Sequence, residues 1–238
     1  MQVKFDIARH ETLWTLILPQ LDTIDLAHDP LHILRVYHWA LQLAPEAKAN
    51  SDLCGAAALL HDLINIPKES QHRSEGSELS AIAGTPLLKK SGYSQAEMSV
   101  IVDAIRTCSW SKGMPPHNPE GLALQEADRL DAIGSIGIIR TIACAQSMRT
   151  RGNSGIFYHP TDPMGRHGRM INDREYAIDH FYKKLLKIEP TFTLPSAKKE
   201  GSKRNTFMLQ FLEEISHEIP KHPIDTHGMS EQRHTTKL

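Results

Sequence analysis

Eight successive residues without a charge, Leu53-Cys54-Gly55-Ala56-Ala57-Ala58-Leu59-Leu60, run directly into His61-Asp62. So apolar a segment belongs in a helix that neighbouring protein must cover, which constrains the chain more than any other feature. A histidine or carboxylate buried at its end without a partner is costly, because each loses water that hydrocarbon cannot replace. A divalent cation offsets that cost for both side chains, since imidazole and carboxylate are both ligands of such ions. Two further residues meet the same need: His32, in an apolar helical stretch upstream, and Asp128, in Glu126-Ala127-Asp128-Arg129-Leu130-Asp131.

The rest of the text is helical in period. Ile33, Val36, Ala40 and Leu43 recur at helical spacing over 28–44, His32 lies on the same stripe, and Pro45 is expected to limit the helix. Ser51 and Asp52 are expected caps for the next helix, which ends before Pro67. A polar connection over 68–76 leads to a short helix over 77–83. Ser94 with Glu97 forms a capping box that opens a helix with Met98, Ile101, Val102 and Ile105 on one face. One helix over 121–147 is expected to carry Asp128, Asp131 and Gly134 on neighbouring turns. Residues 149–175 are rich in Gly, Pro and Arg and read as a long loop, functional or mobile. Helices over 174–188 and 200–218 follow, and the end from 219 to 238 reads as a disordered tail. Alternating strand text is nearly absent, so the expected fold is all-α, a helical bundle in one domain over 1–218.

Composition narrows the partners. The 238 residues carry a formal net charge of -1, which argues against general attraction to nucleic acid or an anionic membrane. Three scattered cysteines without CxxC spacing exclude a disulfide framework or a cysteine zinc site and suit a reducing cytosol, so a cytoplasmic location is expected. No uninterrupted apolar stretch reaches membrane length. Most of the 14 histidines, among them His159, His167, His217 and His222, lie in polar or proline-rich text and read as surface residues.

The ordered set His32, His61-Asp62, Asp128 on a helical chain resembles the HD superfamily of metal-dependent phosphohydrolases. The likeness extends to the flanks His32-Ile33-Leu34-Arg35-Val36 and Ala127-Asp128-Arg129-Leu130-Asp131-Ala132-Ile133-Gly134, and to His180-Phe181-Tyr182-Lys183-Lys184-Leu185-Leu186, all similar to one bacterial subgroup. It covers about residues 22–215. The resemblance implies a five-helix core with additional C-terminal helices, and four ligands on one divalent ion. For the subgroup it implies hydrolysis of nucleotides, with nucleoside triphosphates cut to monophosphates as the narrower expectation. Where such relatives place a His-Ser pair, this chain has Cys108-Ser109, which favours one metal over two unless His72 or His28 substitutes.

Two imidazoles and two carboxylates neutralise a divalent cation and leave positions open on manganese, magnesium, nickel or cobalt; zinc and iron remain candidates. A water acidified there is the expected attacker of phosphorus, with Asp62 or Asp131 as its orienting or accepting base. Phosphoryl transfer also needs cations, for which Arg35, Lys68, Arg129 and Lys183 are the candidates. Trp39 and Trp110 read as packing residues, Trp110 with an alternative role in stacking on a base. A hydrolase of another phosphoester and a non-catalytic metal-containing binding module are the competing readings. The expected partner is a phosphorylated small molecule, and a homodimer stays open as the assembly.

Overall fold

A computed structural model describes residues 3–21, 27–66, 70–109, 112–150 and 156–220. Its helices are α1 (Ala8–Ile17), α2 (Pro30–Ala47), α3 (Ser51–Leu60), α4 (Gly76–Lys90), α5 (Gln95–Thr107), α6 (Pro119–Asp131), α7 (Gly134–Thr150), α8 (Asp179–Lys183) and α9 (Pro195–Glu218). The fold is all-α; the one β-type pairing among the described residues is an isolated bridge between Ile156 and Tyr176.

The apolar run forms α3, and all eight of its residues from Leu53 to Leu60 are buried. Helices α2, α5 and α6 wrap it, with α2 packed most extensively on α6 and α3. Ile33, Val36, Ala40 and Leu43 face this core, as their spacing predicts. The same apolar cluster extends from Phe5 to Leu212, so the C-terminal helix shares the core. Close approach of α1 is set by Gly55, where an added Cβ would stand 2.3 Å from the His10 ring. His10 in turn bonds Tyr37 at 2.8 Å and the Asp52 carbonyl at 2.9 Å. Gly55→Ala should therefore lower the melting temperature. Overpacking costs about 1–3 kcal/mol and displaces His10 from its bonds, which outweighs the roughly 1 kcal/mol of helix propensity gained.

Several boundaries differ from expectation. Pro45 lies inside α2, which ends at left-handed Lys48 (φ 57°). The cap of α3 is Asn50, accepting from the Asp52 and Leu53 amides; Ser51 and Asp52 are inside the helix. Asp52 is drawn instead to Arg9, His10 and Tyr93, more than 40 residues away in sequence. The expected 77–83 helix extends through Pro86 to Lys90. The expected 174–188 helix is cut to α8 because Lys184 leaves helical geometry (φ -133°, ψ -61°), and 3₁₀ turns follow. The Ser94–Glu97 capping box is present as expected.

The single helix expected over 121–147 is two helices. It breaks after Asp131, and Gly134 (φ 79°) starts α7 in a backbone conformation that suits glycine. The loop expected over 149–175 starts later, since α7 runs to Thr150, and residues 151–155 lie outside the described set. Its Arg169 is clasped by Asp179 at 2.6 and 2.5 Å and donates to the Asp162 carbonyl at 2.8 Å. The tail expected from 219 falls, beyond Pro220, outside the described residues. Among the described residues no helix is long and apolar enough to cross a membrane.

Candidate metal centre

Each ligand-type residue reaches the centre from a helix end or a helix face. His32 sits in the first turn of α2, whose start is fixed by Pro30 and by Asp29 accepting from the His32 amide at 2.9 Å. His61 is the C-cap of α3, so the buried helix delivers it into the core, with Asp62 one residue beyond. Asp128 lies in the last turn of α6, against which α2 packs.

His32, His61 and Asp128 form a compact group whose ligand atoms lie within 4.8 Å of one another. The two imidazole Nε2 atoms are 3.3 Å apart. Asp128 Oδ1 stands 3.7 Å from one and 3.8 Å from the other. Asp62 Oδ2 joins from 3.6 and 3.9 Å. The four residues singled out in the sequence are thus brought together from three helical segments.

The proton inventory shows what such a group needs. His61 Nδ1 faces the Ala58 carbonyl at 2.8 Å, and a carbonyl only accepts, so Nδ1 carries the hydrogen. His32 Nδ1 faces the Asp131 carboxylate at 2.7 Å, with the same result. In the neutral rings both Nε2 atoms therefore present lone pairs to one point, alongside two carboxylate oxygens. The acceptors of His32, His61 and Asp128 form the compact group with Asp62 beside them, and a cation is the partner that can satisfy such a set. The donor set of two nitrogens and two oxygens suits a divalent transition ion or magnesium.

The surrounding charges favour positive charge at this point. Burial alone would raise the Asp62 carboxyl, but His61, His32 and His28 hold it well below the usual carboxylate range. Burial and Arg140 push His32 down, while Asp131 and Asp62 outweigh them and leave it raised.

Asp131 is 1% exposed and lies behind His32, on the opposite side of the ring from the ligand atoms. It accepts from Arg35 at 2.6 and 3.1 Å and from Arg140 at 2.9 Å. Burial would raise this carboxyl, yet His32 and Arg35 keep it far below its ordinary value. Arg140 has no signature in the sequence. In one unbroken helix it would lie about 13 Å along the axis from Asp131; the break at Gly134 folds it back.

The other candidates are dispersed. Arg35 is bound to Asp131 rather than directed at the ligand group. Arg129 donates to Gln125 at 2.8 Å, and burial lowers its guanidinium against the raising fields of Asp128 and Glu126. Lys183 is exposed on α8, close enough to help hold Asp173 low. Lys68 and Trp110 lie outside the described residues. His72 is paired with Glu75 on the surface, and His28 stacks edge-on to His32 at 6.1 Å between centroids.

Cys108 is buried, and burial together with the carboxylates of Asp128 and Asp62 drives its thiol well above the ordinary range; burial pushes Cys54 up to about 12. In native protein at pH 8, DTNB should therefore find at most Cys144 reactive, and all three thiols only after unfolding.

The comparisons with known proteins fit this geometry. The family model described as HD domain matches residues 31–133, which span all four ligand-type residues. YpgQ of Bacillus subtilis, described as an uncharacterized protein, is 30% identical over 197 residues, 81% of this chain and 85% of that one. The crystal structure of Bacillus subtilis YpgQ in complex with ADP superposes with a TM-score of 0.65 at 26% identity, over 89% of this chain and 98% of that one. An HD-superfamily hydrolase from Bacillus thuringiensis gives 0.64 at 30% identity, over 88% and 96% of the two chains. The ordered histidines and aspartates, the helices that carry them and these relatives agree, and the chain belongs to the HD-domain superfamily.

Proposed function

We propose that this protein is a divalent-metal-dependent phosphohydrolase acting on a nucleotide. The observation that carries the reading is the approach of two imidazole Nε2 atoms and two carboxylate oxygens at 3.3–3.9 Å. The ADP bound in the structure of a relative supports a nucleotide as the phosphorylated partner.

A divalent ion at this centre supplies positive charge to the phosphoryl oxygens and acidifies water. The protein's own share is orientation and charge. Ala58 and Asp131 fix the tautomers and ring planes of His61 and His32. Asp128 and Asp62 bring the two negative charges that balance a divalent cation. Asp62, with a side chain 26% exposed, is the carboxylate we assign to receive the proton of an attacking water. Asp131 acts through His32 as a positioning residue, since its oxygens are already held by His32, Arg35 and Arg140. Positive charge for the substrate phosphates is assigned to Arg129, beside Asp128; Arg35 is assigned to Asp131. For a nucleoside triphosphate, water adds to the α-phosphorus and the bond to the bridging oxygen breaks, giving monophosphate and pyrophosphate.

The test is elemental analysis of the purified protein, followed by a panel of nucleotides and other phosphoesters with added Mn²⁺. Pyrophosphate release from nucleoside triphosphates is the expected result. Orthophosphate release alone would move the cleaved bond, and bound metal without turnover on any substrate would leave a binding module.

A further inference from the structure

A cavity of about 410 Å³ opens behind the metal centre. Asp131 forms part of its lining and bonds His32 through Nδ1, whereas the ligand atoms gather at Nε2, so the imidazole ring separates the two spaces. One wall is apolar, built from Leu31, Leu34 and Ile136, and Trp39 with two arginines, Arg35 and Arg204, lines the rest beside His38. Leu31 is 49% exposed at this otherwise greasy wall.

Both guanidiniums are fixed without being saturated. Arg35 spends Nε and one amine on Asp131, at 2.6 and 3.1 Å. Arg204 spends Nε on Glu200 at 2.8 Å and one amine on the Leu130 carbonyl at 2.6 Å, with its guanidinium 5.3 Å from the centre of the Trp39 ring. Each keeps a second amine group with no partner among the described residues. A carboxylate or phosphate complements two such pre-positioned donors, and an aromatic ring complements an indole beside an aliphatic wall. The volume lies in the range of small-molecule sites, which are roughly 300–1,000 Å³.

We propose that this cavity is a second ligand site, distinct from the metal centre, for a small molecule joining an anionic phosphate to a flat ring, as a nucleoside monophosphate does. The ring lies against Trp39 and the apolar wall, and the phosphate takes the remaining amines of Arg35 and Arg204. The chemistry of the lining selects this ligand, so the inference stands apart from the hydrolase reading.

The metal-loaded full chain is titrated with AMP, GMP, CMP and UMP, following heat and tryptophan fluorescence, with adenosine and orthophosphate as partial ligands. Saturable binding with quenching is expected for at least one monophosphate, more tightly than for either fragment. Trp39→Leu should abolish the quenching and weaken binding about fivefold or more, the scale of one base–aromatic stack. Arg204→Gln should weaken binding while leaving that of adenosine unchanged. Leu31→Trp, at a half-exposed position that tolerates bulk, should block the mouth in a folded protein. His61→Ala should retain binding. No binding by any monophosphate overturns the proposal, as does binding lost in His61→Ala but kept in Leu31→Trp. Orthophosphate binding as tightly as a monophosphate overturns the role of Trp39.

Discussion

His61→Ala and Asp62→Ala each yield folded protein that loses divalent metal on desalting and hydrolyses nucleotides more than about 100-fold more slowly than wild type. That floor follows from residues outside the ligand set, whose loss alone costs about 10–100-fold in metal affinity or activity. Either substitution removes one of the acceptors that meet at 3.3–3.9 Å and leaves the others facing one another without a shared partner. Chelation of the wild-type protein should mimic both variants, with recovery on adding Mn²⁺. His217→Ala is the control: it is exposed on α9, paired with Glu213 at 3.2 Å, and should change neither metal content nor rate. Normal turnover in His61→Ala or Asp62→Ala would remove the metal centre from the mechanism.

Asp131→Asn has the second largest effect, and it separates into two measurements. The amide keeps the shape but loses the charge that holds His32, Arg35 and Arg140. Breaking a buried ion pair from one side costs about 3–5 kcal/mol, and the partial exposure of Arg35 places the expected loss near the lower figure, about 3 kcal/mol. A thermal melt in chelator reads that term without the metal. The affinity for Mn²⁺ should also fall about 10–100-fold, because His32 loses the partner that fixes its tautomer. Reduced stability with unchanged metal affinity would make Asp131 a purely architectural residue. The folded carboxyl lies below its unfolded value, so its contribution is complete above the unfolded pKa and is lost as pH falls through the folded one. The difference between wild type and variant due to this group should accordingly be flat from about pH 5 to 8, above the unfolded aspartate pKa of about 3.9.

The candidate ligand cluster was legible because its evidence is local: polar residues ending an apolar run, and a histidine on a core-facing stripe. Ser94 and Glu97 were legible for the same reason, their bonds spanning three residues. What escaped depends on distant partners. Ser51 and Asp52 looked like caps, but Asp52 answers to Arg9, His10 and Tyr93, and Asn50 supplies the cap. Helix α1 went unread because its buried positions include His10, which the core accepts only through Tyr37 and Asp52. The break at Gly134 hides in a sequence whose apolar period runs on unbroken, and it conceals Arg140 with it. Arg35 has the right charge near the right histidine; only coordinates show which side of the ring it serves.

The buried Glu126, two residues before Asp128, receives the Thr193 amide and hydroxyl at 2.7 and 2.6 Å and the Leu194 amide at 3.1 Å. A fragment ending where the family match ends, at residue 133, would contain all four candidate ligands but none of the donors this carboxylate accepts from. Folding of the candidate centre should accordingly be impaired in such a fragment and restored by extending it through residue 194.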